Sequence, residues 1–436
     1  ARKFAEGTLV RLSLEASNQS TIILKLVGML RDSDEAHHHQ QQHADGAEGT
    51  HGEGAHGEDS PPQNRRASRE SRDAVGSDKD KGQGMGQGAD QAAAVLATLA
   101  RELPESRSGI LEAGGVPLLI ELINSKSAAT EEHALSAIAE LAHNNPKVQL
   151  VIGSDAAGIS ALVAIIATSS SSSKDDAAVQ HWSLAARAIA NLVDGHRDNQ
   201  VRFNMEGAIP PIVALLSCAH TELRTNAARA MAVMARGDAK GPNLENQATL
   251  IRCGAVTLLC STIKEYVALG SGHGEAHDQK VLAQEACAAA LWALALESNS
   301  STKAVIAKAG SIGLLLNQLI ALTTEQSAEN ASGALAALAE RNVENVKQIS
   351  HVLVSALAAQ MGKNGRVVRL LGAMALLCSN GKLAQDAVSA EPGFYGSIVQ
   401  CLKATAKEVQ VQAARVVLAL GTSNATTQSY IGQNGC

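Results

Sequence analysis

The sequence predicts an all-α protein, a right-handed α-solenoid of about eight related helical repeats. Three observations carry that expectation. Hydrophobic residues make up 45% of the 436-residue chain but aromatics only 2%, so the core must be built from Ala, Leu, Val and Ile. Such small and aliphatic side chains suit closely packed helices, whereas a sandwich or barrel of this size draws on more aromatic and β-branched residues. One apolar position in an Ala-rich amphipathic helix recurs as Leu99, Leu141, Leu192, Met234, Leu294, Leu338, Leu377 and Leu420, and most of its steps fall between 39 and 44 residues. Between these helices a Gly-containing break returns, as Gly114-Gly115-Val116-Pro117, Gly207-Ala208-Ile209-Pro210, Gly254-Ala255-Val256 and Gly310-Ser311-Ile312.

Each element of the unit has a local reason. Gly suits the break because a helix end calls for a left-handed residue. Pro117 and Pro210 follow where a new helix starts, its first turn having no use for the missing N–H. In the recurring helix Leu135, Ile138, Leu141 and Ala142 share one face, with Glu140 and His143 between them. One such unit cannot bury its apolar face alone, and stacked neighbours do so. The two long steps, 51 and 60 residues, contain the polar insertions Thr168 to Asp176 and Gly270 to Asp278.

Along the chain, residues 1–32 read as degenerate N-terminal repeat helices, with an apolar helix at Ile22 to Leu30. Residues 33–89 abandon helical periodicity for runs of His, Gln, Gly and acidic residues, and residues 90–436 hold the repeat array. The insertion cannot bury enough apolar area to offset its ordering entropy, so it is expected to be disordered. Twelve acidic and six basic residues between Ser33 and Asp90 account for the whole net charge of −6, and the repeat body is neutral. A neutral body lacks the basic field of a nucleic-acid-binding protein, and no nucleic-acid partner is expected. The chain starts without Met and ends at Asn434-Gly435-Cys436, inside what reads as the opening of another repeat, so it is expected to be a fragment.

The Gly break, the aliphatic-Pro helix and the run from Trp182 to Gly195 (WSLAARAIANLVDG) resemble the armadillo repeat family over roughly residues 90 to 436. HEAT repeats share the solenoid logic and a similar period, but the Gly breaks favour armadillo. The resemblance implies a non-catalytic scaffold or adaptor that holds a partner segment along a concave groove lined by the third helix of each repeat. In family members of the nuclear-import type, a ladder of Asn there holds the peptide backbone and Trp one turn earlier packs its side chains. Asn suits that task because its amide both donates and accepts.

At the ladder position this chain carries Thr98, Glu140, Asn191, Val233, Ala293, Ala337, Leu376 and Ala419, of which only Asn191 matches. One turn earlier stand Ala94, Ser136, Arg187, Arg229, Ala289, Gly333, Gly372 and Arg415, none of them Trp, while Trp292 lies off-register. The chain therefore does not closely match the import-receptor type. Two readings of the columns stand side by side. Either they face the groove, with Glu140, Arg187, Asn191, Arg229 and Arg415 as partner-binding residues for a mixed acidic and apolar segment, extended or helical. Or several of the Ala and Leu residues are core and the register is displaced by one. The resemblance also admits the substrate-recruiting region of a U-box-type ubiquitin ligase, or a vacuolar-type armadillo scaffold whose only membrane contact is an anchor outside this sequence.

Chemistry is otherwise sparse. Seven cysteines without CxxC spacing sit mostly in apolar helical runs and read as buried thiols of a reducing compartment, which implies cytoplasm or nucleus. Gly362-Lys363 and Gly381-Lys382 lack the upstream Gly of a phosphate loop, and no Gly-x-Ser-x-Gly elbow exists. His273-Gly274-Glu275-Ala276-His277 misplaces its Glu for a zinc helix, and neither a metal site nor a cofactor is expected. Within the insertion, Arg65-Arg66-Ala67-Ser68 has the form of a basophilic kinase substrate, with Ser68 the phosphorylation candidate.

Overall fold

The computed structural model describes residues 18–32, 76–125, 127–169, 175–268, 274–321, 324–421, 429 and 432–433. Among them every regular element is a helix, and Asp238 and Gly241 form an isolated backbone bridge. Repeat 1 contributes α1 (18–32) and α2 (Gly76–Glu102), and repeat 2 contributes α3 (Ser106–Glu112), α4 (Gly115–Ile123) and α5 (Ala128–Ala142). Repeat 3 is α6 (Pro146–Ser154), α7 (Ala156–Ala167) and α8 (Asp176–Val193), and repeat 4 is α9 (Arg197–Met205), α10 (Ile209–Leu215) and α11 (Thr221–Arg236). Repeat 5 is α12 (Leu244–Arg252), α13 (Ala255–Ala268) and α14 (Glu275–Ala295); repeat 6 is α15 (Ser300–Lys308), α16 (Ser311–Ala321) and α17 (Glu325–Ala339). Repeat 7 has two helices, α18 (Val343–Gln360) and α19 (Asn364–Ser379), and repeat 8 is α20 (Lys382–Ala390), α21 (Phe394–Leu402) and α22 (Lys407–Gly421). The expected insertion lies outside the described residues as far as residue 75, and Ser68 with it.

The chain divides into two compact units, Ala1–Ala161 and Leu162–Cys436, with the boundary inside α7. In the first unit α2 packs on α5, and α1 turns its stripe of Ile23, Leu26, Val27 and Leu30 inward. In the second unit the third helices form one continuous row in which α8, α11, α14, α17, α19 and α22 each pack on the next. Their buried faces are mostly Ala, Leu, Ile, Val and Met, as the composition required, with a few polar groups, two cysteines and Trp182 among them. Small Ala side chains on such faces let helices approach closely. No single helix among the described residues is long and apolar enough to cross a membrane.

The predicted Gly breaks are helix junctions. Gly114, Gly207, Gly254 and Gly310 all take the left-handed conformation, with φ between 79° and 85°. Repeat 7 has no Gly at this point, and there the first and second helices run together as α18. In repeats 3 to 7 the start of the first helix is fixed by a side-chain cap: Asn145, Asn243, Asn299 and Asn342 each accept the backbone N–H three residues on, and His196 does the same through Nδ1, whereas the first helices of repeats 2 and 8 start without one. Such caps satisfy backbone donors that the helix itself leaves unpaired.

A second recurring device sits four residues after the cap. Gln149, Gln200, Gln247, Lys303 and Gln385 are buried polar residues on otherwise apolar surfaces. Gln200 Nε2 donates to the carbonyls of Val193 at 3.0 Å, Val233 at 3.1 Å and Gly237 at 2.9 Å, and its Oε1 accepts from Asn243 Nδ2 at 3.2 Å. Gln247 Nε2 reaches Ala293 O at 2.8 Å and Leu296 O at 3.0 Å, and Gln385 Nε2 reaches Ala419 O at 2.9 Å. In repeat 7 the position is Val346 and the rail amide is missing; Asn345 bonds Leu338 O and Lys303 O as Asn246 bonds Met234 O and Gln200 O in repeat 5. These amides saturate the last carbonyls of successive third helices, so they bind one repeat to the next.

Candidate protein-binding face

From Arg187 onward the ladder columns lie on the row of third helices in the second unit. Arg187 is half-buried on α8, Arg229 and Arg415 are exposed on α11 and α22, and Asn191 is buried on α8. Glu140, on α5 of the first unit, is half-buried. Arg415 Nη1 approaches Gln412 Oε1 at 3.5 Å, a contact within one turn that leaves the guanidinium at the surface.

The columns are surface in some repeats and core in others. Val233 is half-buried and Leu376 is 42% exposed, but Ala293 and Ala337 at the same column are buried. In repeat 5 the surface position is taken instead by Trp292, one residue earlier and half-exposed. Its indole lies against Gly333 of α17, where an added Cβ would come within 2.6 to 2.8 Å of the ring. Only a glycine admits that contact, so the small residue at 333 exists on this face as the seat of an aromatic from the preceding repeat. Nothing in the spacing of Trp292 announced this pairing, because the two residues are 41 apart in sequence and meet only when α14 and α17 stack.

Sequence reasoning also passed over Arg369 on α19. It is half-buried with one buried terminal nitrogen unbonded among the described residues, burial lowers its pKa, and Glu325 opposes that shift. Several other polar groups on these helices are internal ties. Asn226 Nδ2 donates to Ser183 Oγ at 2.9 Å, joining α11 to α8, and Asn330 Nδ2 donates to Glu285 O at 3.1 Å, joining α17 to α14. Arg224, buried, donates through Nη1 to Glu265 Oε2 at 2.7 Å and through Nε to Cys218 O, with its guanidinium carbon 5.7 Å from the Tyr266 ring centre.

The buried thiols are poor nucleophiles. Burial pushes Cys260 and Cys401 up to about 11 and Cys378 up to about 12, and raises Cys287 as well. A thiolate is the reactive form, and these sites suppress it. Among the described residues no group of three or more His, Cys, Asp or Glu side chains is placed to hold a metal ion.

No family model matches the chain. A stretch of 56 residues is 45% identical to U-box domain-containing protein 4 of Arabidopsis thaliana, which is 13% of this chain and 7% of that protein. Among solved structures, the chain resembles an engineered protein with a TM-score of 0.59 at 24% identity, over 83% of this chain and 80% of the other. It also resembles a chain from a structure of the phosphorylation-switched interaction between cadherin and beta-catenin, with a TM-score of 0.50 at 14% identity, over 80% of this chain and 60% of that one. A designed armadillo repeat protein aligns with a TM-score of 0.47 at 21% identity, over 70% of this chain and 99% of that one. The helical triplets and the likenesses at the two higher TM-scores define an all-α, armadillo-type α-solenoid.

Proposed function

We propose that the chain is a non-catalytic protein-binding scaffold whose row of third helices holds a segment of a partner protein. One observation carries this reading: the buried amides of the first helices are consumed in internal hydrogen bonds, while the third-helix row keeps Arg229, Arg415, Leu376 and the half-exposed Trp292 at its surface. Exposed cations beside apolar and aromatic groups suit a segment that is itself acidic and apolar, with Arg and Trp as the residues that most often anchor such contacts. Arg187 and Asn191 belong to the same proposed contact set, and Glu140 is a separate candidate on the first unit.

Peptide display against the whole chain tests this. Enriched peptides are expected to carry Asp or Glu interleaved with Leu, Ile or Phe. They should bind the Arg229→Glu/Arg415→Glu variant at least tenfold more weakly while its melting temperature stays unchanged. Peptides that bind both proteins equally, or that carry no acidic bias, would overturn the reading.

The 56-residue likeness to a U-box protein favours a second reading, in which the array recruits substrates for ubiquitin transfer. Its test is the ubiquitination, by the full-length protein, of a polypeptide captured through the third-helix row. If a captured polypeptide is never modified while binding persists, the scaffold reading stands and the ligase reading fails.

A further inference from the structure

The device that binds successive repeats has two cationic members, Lys303 and a residue of repeat 2. In repeat 2 of the first unit the equivalent residue is Arg107, seven before Gly114 as Gln200 is seven before Gly207; it donates through Nε to Ala100 O at 2.8 Å and through Nη1 to His143 O at 2.7 Å. Two carbonyls thus hold the guanidinium in place across the ends of α2 and α5. Beside it lies a cavity of about 830 Å³ lined by Pro104, Arg107, Ser108, His143, Asn144, Asn145, Pro146 and Lys147. None of these is a carboxylate.

That absence sets this junction apart from those of the second unit. Lys303, at the rail position of repeat 6, meets Glu340 Oε2 at 3.3 Å, and Arg197, at the start of α9, meets Asp238 Oδ1 at 3.4 Å. The residue that corresponds to Glu340 is His143 here. Among the described residues no carboxylate pairs with Arg107 or Lys147, and the nearby Glu102 is engaged by Arg101 at 3.4 Å. The first turn of α6 adds little, since Pro146 has no N–H and the Val148 amide is already capped by Asn145 Oδ1. What the cavity offers is two unneutralised cations, one of them fixed, with the Ser108 hydroxyl and the Asn144 amide as further donors.

We propose that this cavity binds a phosphoryl group carried on a polypeptide side chain. A phosphate dianion matches the two cations in charge and presents three oxygens to the several donors, whereas a carboxylate brings one charge and two oxygens. The guanidinium is held before the ligand arrives, so little of its freedom is lost on binding. The cavity is larger than one phosphate, leaving room for the residue that carries it. This site is separate from the third-helix row, and its failure would leave the reading of that row untouched.

The test uses the full chain and three probes: inorganic phosphate, the peptide Gly-phosphoserine-Gly with its unphosphorylated twin, and phosphatidylcholine vesicles containing a phosphoinositide. Calorimetry is expected to show the phosphopeptide binding at least tenfold more tightly than its twin, with inorganic phosphate competing and the affinity falling as salt rises. Lys147→Glu should abolish the preference without moving the melting temperature, and Arg107→Gln, which keeps an amide for the two carbonyls, should reduce it similarly. Equal binding of the twins, or a preference that survives Lys147→Glu, would overturn the proposal. So would Lys147-dependent binding seen for the vesicles alone, which would place the phosphoryl group on a lipid.

Discussion

Gln200 on a first helix and Arg229 on a third helix are both long polar side chains in the same repeat, yet the structure uses them in opposite ways. Gln200 is wholly buried and spends its amide on three backbone carbonyls and one asparagine. Arg229 stands at the surface of α11. The difference lies in what each helix has to satisfy. A third helix ends inside the stack, where its last carbonyls have no water, so a neighbouring side chain must supply the donors. Its outward flank meets solvent and carries no such obligation, which frees that flank to vary for a partner.

The comparison breaks most visibly at Gln200. Gln200→Leu keeps the volume but leaves the carbonyls of Val193, Val233 and Gly237 without their donor, and chemical denaturation should show a loss of about 2–4 kcal/mol. Each of two buried thiols gives a change of similar size at alkaline pH. An unfolded thiol ionises near 9, whereas folded Cys260 and Cys378 hold their protons up to about 11 and about 12. Their contribution is complete below pH 9 and falls as pH rises through the folded values, at about 1.4 kcal/mol per thiol per pH unit within that window. A flat stability curve from pH 9 to 11 would refute this burial effect.

Smaller effects belong to the open flank. Gly333→Ala should displace the Trp292 ring, because the new Cβ meets it at 2.6 to 2.8 Å. In a Trp182→Phe background, where Trp292 is the one indole left, its fluorescence should shift, with a stability loss of about 1–2 kcal/mol as overpacking outweighs the gain in helix propensity. Lys303→Gln restores at repeat 6 the residue that repeats 3, 4, 5 and 8 use, and removes a buried charge whose pKa burial lowers despite Glu340. Melting should show it neutral or slightly stabilising. Least of all, Arg229→Ala and Arg415→Ala should change stability by under about 0.5 kcal/mol, whatever they do to binding.

Several parts of this architecture stood plainly in the chain. The period of the tracked apolar position and the left-handed Gly breaks are local or nearly local features, each fixed by the backbone of a few neighbouring residues. Even the rail was half legible, since a polar residue four positions after a capping Asn recurs at Gln149, Gln247 and Lys303. Its purpose was not, because the carbonyls it serves lie up to 49 residues away. The ladder columns show the limit most clearly: one register taken from the sequence gives surface at Leu376 and core at Ala293.

The amino-acid sequence by itself determined that helices form, how long a unit is and which stripe of each helix is apolar, because these follow from propensity, capping and a period of 3.6. Only the tertiary structure decided that Trp292 rests on Gly333, that Gln200 closes three carbonyls, and that Arg107 and Lys147 face a cavity without a carboxylate. Those arrangements depend on how one repeat rotates against the next. That rotation is set by packing between side chains some forty residues apart, and no local pattern records it.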